Sequence, residues 1–294
     1  MDLSAKLLQL FASGIAIGSI YALVALGFNV IYKTTDAINF AQGEWVMVGG
    51  ILAAALFGIG AQPFWLVLIG AVLLVGLLGI GSERLVIRPL RAASPMLVTL
   101  LTIGLAIATK SIVMLVFGKN PSFYPAFSGE TPIRFGGASI HPQSLWIIGI
   151  TAAVMVAMHL FFEKTLLGRA LRAVAADRDA ARLVGVNVSR MVMWSFGLAA
   201  LVGAIAGVAI TPLIFTDYNA GTMLGFKGFS AAMLGGIGSL YGAVLGGLLL
   251  GVAEALSGGL ISSEFKDATA FCVLLLILFL RPAGLFRQAS ASRV

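Results

Sequence analysis

Few residues in this chain could do chemistry, and their spacing argues against catalysis. The two histidines, His141 and His159, stand apart with no cysteine near either, which speaks against a metal site. His159, near a span end beside Glu163, is too isolated to act as a catalytic base. The single cysteine, Cys272, sits inside an apolar run, so no intrachain disulfide is possible. There is no G-x-S-x-G elbow, no H-E-x-x-H and no paired carboxylates in a cavity-like context. "GTMLGFKG" (221–228) comes closest to a phosphate-binding loop but has the wrong spacing, so ATP-driven work must be delegated to another chain.

What remains is the chemistry of recognition and passage, in three stretches. The first, "TTDAINFAQGEWVMVGG" (34–50), brings Asp36, Asn39, Gln42, Gly43 and Glu44 to the start of an apolar run. In the second, "GFKGFSAAMLGGIGSLYGAVLGG" (225–247), Gly235, Gly236, Gly238, Ser239 and Gly242 punctuate a hydrophobic stretch. Glycine-interrupted apolar segments in both halves of a chain point to broken helices lining a transport path. Interfacial placement at the cytosolic end of its helix is the cheaper arrangement for Glu44, because a charge at the bilayer centre costs about 2.5–3.5 kcal/mol or more. Lys110 lies deeper in its span, where snorkelling outward and facing a polar interior are both open. Glu254, near the outer end of its span, is expected to reach the surface.

The third stretch, "GRALRAVAADRDAARLVGVNV" (168–188), gathers Arg169, Arg172, Asp177, Arg178, Asp179 and Arg182 in an otherwise apolar chain. Asp177 is a good N-cap for a short helix that Gly185 stops in a left-handed conformation. Ala175, Ala176, Ala180 and Ala181 give that helix a slender face ringed by charge. Such a helix suits insertion into a cleft on another protein. The plainer alternative is a solvated loop whose arginines only enforce topology.

The elements that must hold these stretches follow from composition. Charged residues are 11% of the 294, against roughly 25% in soluble proteins, too little polar surface to cover a soluble exterior. Spanning helices, which need about 20 apolar residues, are expected near 7–31, 40–58, 63–83, 96–117, 145–162, 191–214, 239–257 and 268–280, with a dipping piece at 226–238. The first run is too long for a signal-peptide core and is followed at once by another span, so it is expected to stay in the mature protein. The net charge of +7 is not spread as a nucleic-acid stripe but falls in the connections. The connections 32–39, 84–95, 163–190 and the tail from 281, which include Arg91, Arg287 and Arg293, hold thirteen Lys and Arg. The opposite set holds five: Lys6, Lys119, Arg134, Lys227 and Lys266. The positive-inside rule then puts the N-terminus outside and the C-terminus in the cytoplasm. All four tryptophans lie near span ends, as an aromatic belt requires. Gly14/Gly18, Gly203/Gly207, Gly242/Gly246 and Gly247/Gly251 form four GxxxG pairs for close helix packing.

These residues resemble a known family. "ERLVIRPLRAASPMLVTLLTIGLAI" (83–107), "TTDAINFAQGEW" (34–45), "GGIGSLYGAVLGGLLLG" (235–251) and "LRPAGLF" (280–286) look like the LivH-type permease of branched-chain amino-acid ABC importers. The resemblance implies an all-α polytopic membrane fold of about eight transmembrane helices plus a re-entrant or broken segment, in one domain over 1–294. It further implies a second related permease, two cytoplasmic ABC ATPases that bind ATP and Mg, an extracytoplasmic solute-binding protein, and no cofactor on this chain itself. Location would be the bacterial inner membrane. The cytoplasmic coupling loop would be 163–190 and the main extracytoplasmic loop 118–144. Coupling would fall to Arg169, Arg172, Ala176, Asp177, Arg178, Ala180, Ala181 and Gly185. The path or helix break would fall to Asn39, Gln42, Gly43, Glu44, Lys110, Gly235, Gly236, Gly238 and Ser239. A urea or amide permease of the same family is the nearest alternative. A self-sufficient secondary transporter or channel would normally show intramembrane charge pairs, whereas only Lys110 is clearly deep and it lacks an evident partner, and an intramembrane enzyme would need a nucleophile and base or metal ligands.

Overall fold

A computed structural model describes residues 3–60, 63–90, 94–135, 137–281 and 283–286. Arg91, Arg287 and Arg293, which enter the topology count, and Pro282 of "LRPAGLF" lie outside the described residues. The chain is helical almost throughout: α1 (Leu3–Thr35), α2 (Gln42–Gly58), α3 (Phe64–Ser82), α4 (Pro95–Phe117), α5 (Pro142–Lys164), α6 (Leu166–Ala176), α7 (Arg178–Leu183), α8 (Val188–Ile214), α9 (Ala220–Gly235), α10 (Leu240–Leu260) and α11 (Phe265–Leu280). A short antiparallel hairpin, Ile133–Phe135 with Ala138–Ile140, lies between α4 and α5.

Among the described residues six helices are long and apolar enough to cross a membrane: α1, α3 with its continuation to Leu90, α4, α5, α8 and α10. The expected spans at 40–58 and 268–280 are α2 and α11, with 17 and 16 residues, both shorter than the about 20 a spanning helix usually has. The piece expected at 226–238 is α9, which starts earlier, at Ala220. The connection expected from residue 84 is helical as far as Leu90, through a π turn at Glu83–Ile87 and a 3-10 turn at Arg88–Leu90. No proline stands in that run before Pro89, so nothing ends the helix where the charge begins.

Local signals set the helix ends. Ser94 caps α4, accepting a bond from the Leu97 amide, and Pro95 follows at the first helical position. Asn187 caps α8 through the Arg190 amide, and Ser239 caps α10 through the Gly242 amide. Between α9 and α10 the backbone turns at Gly236 (φ +97°) and Gly238 (φ +89°), conformations that glycine adopts without a Cβ penalty. The polar groups freed there are paired by Asn29 of α1. Its side-chain oxygen accepts from the Gly238 amide at 3.0 Å and its nitrogen donates to the Ser239 carbonyl at 2.8 Å. A break inside an apolar bundle is tolerable only with such partners.

α1 is the central post, with 89% of its most apolar window buried, whereas α4 has 11% buried and stands at the periphery. With lipid outside there is no hydrophobic drive between helices, so close backbone packing must hold them together. The four glycine pairs do this. Gly14 and Gly18 of α1 meet Gly247, Gly251 and Val252 of α10, Gly203 and Gly207 of α8 meet Gln42 and Val46 of α2, and Gly242 and Gly246 of α10 meet Gly235 of α9. A Cβ at Gly251 would run into the Gly18 backbone. Gly251→Leu should therefore force α1 and α10 apart and destabilise the fold by about 1–3 kcal/mol. A thermal midpoint in detergent equal to that of the unaltered chain would contradict this.

Two contacts tie the described part of the connection between α4 and α5 to the bundle. Ser122 and Thr216 form an isolated antiparallel bridge. The Tyr124 hydroxyl donates to the Val208 carbonyl, and burial pushes this phenol well above its ordinary range.

Candidate functional site

The last turn of α1 leads into Asp36, whose left-handed backbone (φ +53°) an aspartate tolerates better than most side chains. The chain then runs along α4 instead of leaving the bundle. The Ile38 amide donates to Thr99 Oγ1 at 3.2 Å and the Phe40 amide to Thr102 Oγ1 at 3.1 Å. Thr102 lies two turns inside α4, so α2 begins beside the interior of that span. Gln42 is buried, its Nε2 donating to the Ala199 carbonyl at 3.0 Å in a space left by Gly27. Gly43 packs on Gly221 and Gly225 of α9.

Glu44 is 3% exposed. Its Oε1 accepts from Thr222 Oγ1 at 3.1 Å, while Oε2 has no hydrogen-bond partner among the described residues. The expected interfacial position is corrected. α2 starts within the bundle, so its first turn lies at the depth of the spans. Glu44 lines a cavity of about 370 Å³ with Phe40, Ile103, Ala106, Ile107, Lys110, Thr222, Gly225 and Phe226. Lys110 therefore faces the bundle, its ammonium 5.8 Å from the centre of the Tyr218 ring, a cation–π arrangement. The result is an apolar cleft, open on the α4 side where Ile103 and Ile107 are exposed, with a carboxylate and an ammonium on its walls.

Of the residues expected on the path, Glu44 and Lys110 share this cavity, with Gly43 packed beneath it and Asn39 and Gln42 buried nearby. Gly235, Gly236, Gly238 and Ser239 do not reach it. They form the α9–α10 break at the other end of α9, where Lys33 approaches Gly238.

The charged stretch 168–188 folds into two helices. The Asp177 carboxylate accepts from the Asp179 amide at 2.9 Å and the Ala180 amide at 3.0 Å. Gly185 (φ +86°) closes α7, with the Val186 amide on the Ala181 carbonyl and the Gly185 amide on the Arg182 carbonyl. This is a Schellman stop. Arg169 is exposed, and Arg172 pairs with Glu163 at 2.7 Å. Arg178 reaches back to Asp36 at 2.8 Å, which ties α7 to the segment leading into α2.

Ala181 is a correction. It is buried in the chain's own core and cannot contribute to an outer face. The exposed face consists of Ala176 and Ala180, with Leu183 and Val184, 89% and 77% exposed, beyond them. Sequence reading passed over those last two, although large apolar residues in a charged, exposed stretch are a binding signal.

A second cluster was also missed. Lys227 of α9 and Glu254 of α10 form an ion pair at 2.7 Å, their side chains 10% and 7% exposed. Lys227 also reaches Asp267 of α11 at 2.7 Å, and the Tyr21 hydroxyl donates to Glu254 Oε2 at 2.7 Å. The expectations that Lys227 lies in a connection and that Glu254 reaches the surface are overturned. α9 starts at Ala220, which places Lys227 two turns inside a helix. The signal available was two opposite charges in neighbouring apolar runs, which cost least when they meet.

A family model described as "Branched-chain amino acid transport system / permease component" matches residues 10–280. The chain belongs to this family. The permease is 36% identical to the high-affinity branched-chain amino acid transport system permease protein LivH of Salmonella typhimurium, over 98% of this chain and 97% of the relative. It is 33% identical to the permease protein BraD of Pseudomonas aeruginosa, over 98% of both chains. Among solved structures, PsaBC from Streptococcus pneumoniae in complex with Fab is similar at a TM-score of 0.46 and 16% identity, covering 96% of this chain and 92% of that one. The resemblance read from the four motifs is thus borne out, and the permease is a multi-pass membrane protein of a transport system.

Proposed function

We propose that this permease is the translocation subunit of an ATP-driven importer of branched-chain amino acids in a bacterial inner membrane. The observation that carries the reading is its likeness to LivH and BraD over nearly the full length of each chain. Its partners are a second related permease, two cytoplasmic ATPases that bind ATP and Mg, and an extracytoplasmic solute-binding protein. No cofactor is held on this chain. The α6–α7 end faces the cytoplasm, which leaves the N-terminus outside and the C-terminus inside.

The working parts form a physical chain. Ala176, Ala180, Leu183 and Val184 enter a cleft on an ATPase, with Arg169 and Arg172 at the rim. Closure of the ATPases moves α7, and Arg178 carries that motion to Asp36. Asp36 begins the segment held by Thr99 and Thr102 and ends at the first turn of α2, where Glu44 lies against α9. A shift at the docking helices thereby alters the cavity wall. The break at Gly235–Ser239 gives α9 and α10 a hinge beside the same end of the bundle, on which rocking of two permease halves depends.

A neutral cargo such as urea has no use for a carboxylate and an ammonium on the cavity wall, which favours an amino acid. The Lys227–Glu254 pair meets the charge-pair criterion for a secondary transporter, but both charges are already bonded to protein partners, so it is read as a structural tie. In proteoliposomes holding the assembled importer and its binding protein, labelled leucine should accumulate only with ATP inside. Accumulation of urea instead, or of leucine by this chain alone, would overturn the proposal.

A further inference from the structure

The geometry points to a zwitterion site in the Glu44–Lys110 cavity: Glu44 takes the ammonium of an α-amino acid, Lys110 takes its carboxylate, and Phe40, Ile103, Ile107 and Phe226 hold a branched aliphatic side chain. This inference rests on the importer reading and deepens it.

The cavity, at about 370 Å³, falls in the range of small-molecule pockets, roughly 300–1,000 Å³. Its walls are mostly apolar, with few polar groups. Glu44 supplies the independent observation. One carboxylate oxygen is held by Thr222, the other is buried with no donor among the described residues. A buried carboxylate without its hydrogen bonds is costly, and an incoming ammonium would remove that cost. Lys110 rests over the Tyr218 ring and forms no salt bridge among the described residues; it acts on Glu44 only across the cleft, so its ammonium is placed to meet a ligand's carboxylate.

The contrast with Lys227 and Glu254 is instructive. Those two charges have each other, Asp267 and Tyr21, and need nothing further. Glu44 and Lys110 line one cleft from different helices, α2 and α4, with α9 as the third wall. Motion of α2 relative to α4 would separate the two poles and release the ligand. A zwitterion held at both ends is sensitive to such a change, whereas a purely apolar solute is not.

The test uses Ala106→Cys in a Cys272→Ser background, because Ala106 lines the cavity and Cys272 is the chain's only cysteine. The assembled importer in detergent is treated with a water-soluble charged maleimide. The probes are an excess of leucine, 4-methylpentanoate (carboxylate only), 3-methylbutylamine (ammonium only) and 4-methylpentanol (neither). The expected result is labelling that leucine slows about tenfold, equivalent to about 1.4 kcal/mol. The single-pole probes should protect less and the alcohol least. Glu44→Gln should remove protection by the amine and spare that by the acid, and Lys110→Met should do the reverse. A merely structural role for either residue would weaken both probes alike. No labelling at all, no protection by leucine, or equal protection by the alcohol would overturn the site. Normal leucine uptake alongside any of these results would discard the site and keep the importer reading. Failure of leucine uptake itself would discard both.

Discussion

Replacing Lys227 by methionine should destabilise the permease by about 3–5 kcal/mol, the usual result of stripping one partner from a buried ion pair. Both side chains are nearly enclosed, and the ammonium bridges α10 and α11 from α9. Without it, the Glu254 carboxylate keeps, among the described residues, only the Tyr21 hydroxyl. Asp267 is half exposed and can be solvated on its own, so the penalty falls on Glu254. The double variant Lys227→Met, Glu254→Gln should regain most of the loss, because the amide carries no charge and its oxygen still accepts from Tyr21. Thermal unfolding in detergent, followed by circular dichroism, separates these outcomes. An unchanged midpoint in the single variant, or a double variant as unstable as the single, would contradict the tie.

The second large effect is on coupling. Ala180→Glu should leave membrane insertion and thermal stability intact, because the position is exposed, and should reduce uptake below detection by placing a bulky charge in the docking face. Ala181→Glu should behave differently. That side chain faces the core, so the charge is buried and the fold suffers. The Asp36–Arg178 pair offers a finer probe. An exposed pair contributes only about 0–1 kcal/mol to stability, so Arg178→Asp should fold normally and transport poorly, and Asp36→Arg should transport poorly with only a small added loss of stability from its left-handed backbone. The exchanged pair, Asp36→Arg with Arg178→Asp, should restore part of the transport. Full uptake in either single variant, measured in right-side-out vesicles or in proteoliposomes with ATP inside, would remove this link.

The parts of the fold set by local rules were legible in the sequence. Asp177 and Gly185 mark the ends of α7 because capping and left-handed glycine act within a few residues, and "GGIGS" marks the α9–α10 break for the same reason. The glycine pairs announce close helix packing, yet spacing alone does not say which helix fills each groove. Glu44 was misplaced because hydropathy dates the start of α2 but not its depth. The depth is set by Thr99 and Thr102 holding the preceding segment to α4, sixty residues along the chain. Lys227 and Glu254 meet only once α9 and α10 fold back on each other. Ala181 and Ala180 are neighbours of one type in sequence. Only packing sends one into the core and leaves the other on the surface.

Driving force enters this permease through the α6–α7 face in the proposed importer. The most direct measurement is disulfide or bifunctional thiol cross-linking from Ala180→Cys, with Cys272 replaced, to single cysteines in the partner ATPase of the assembled importer. A permease–ATPase adduct should form from the cytoplasmic side and arrest uptake, with transport restored when the link is reduced. An adduct that forms only with reagents confined to the extracytoplasmic side, or an importer that runs at full rate while cross-linked elsewhere and never links at Ala180, would contradict it.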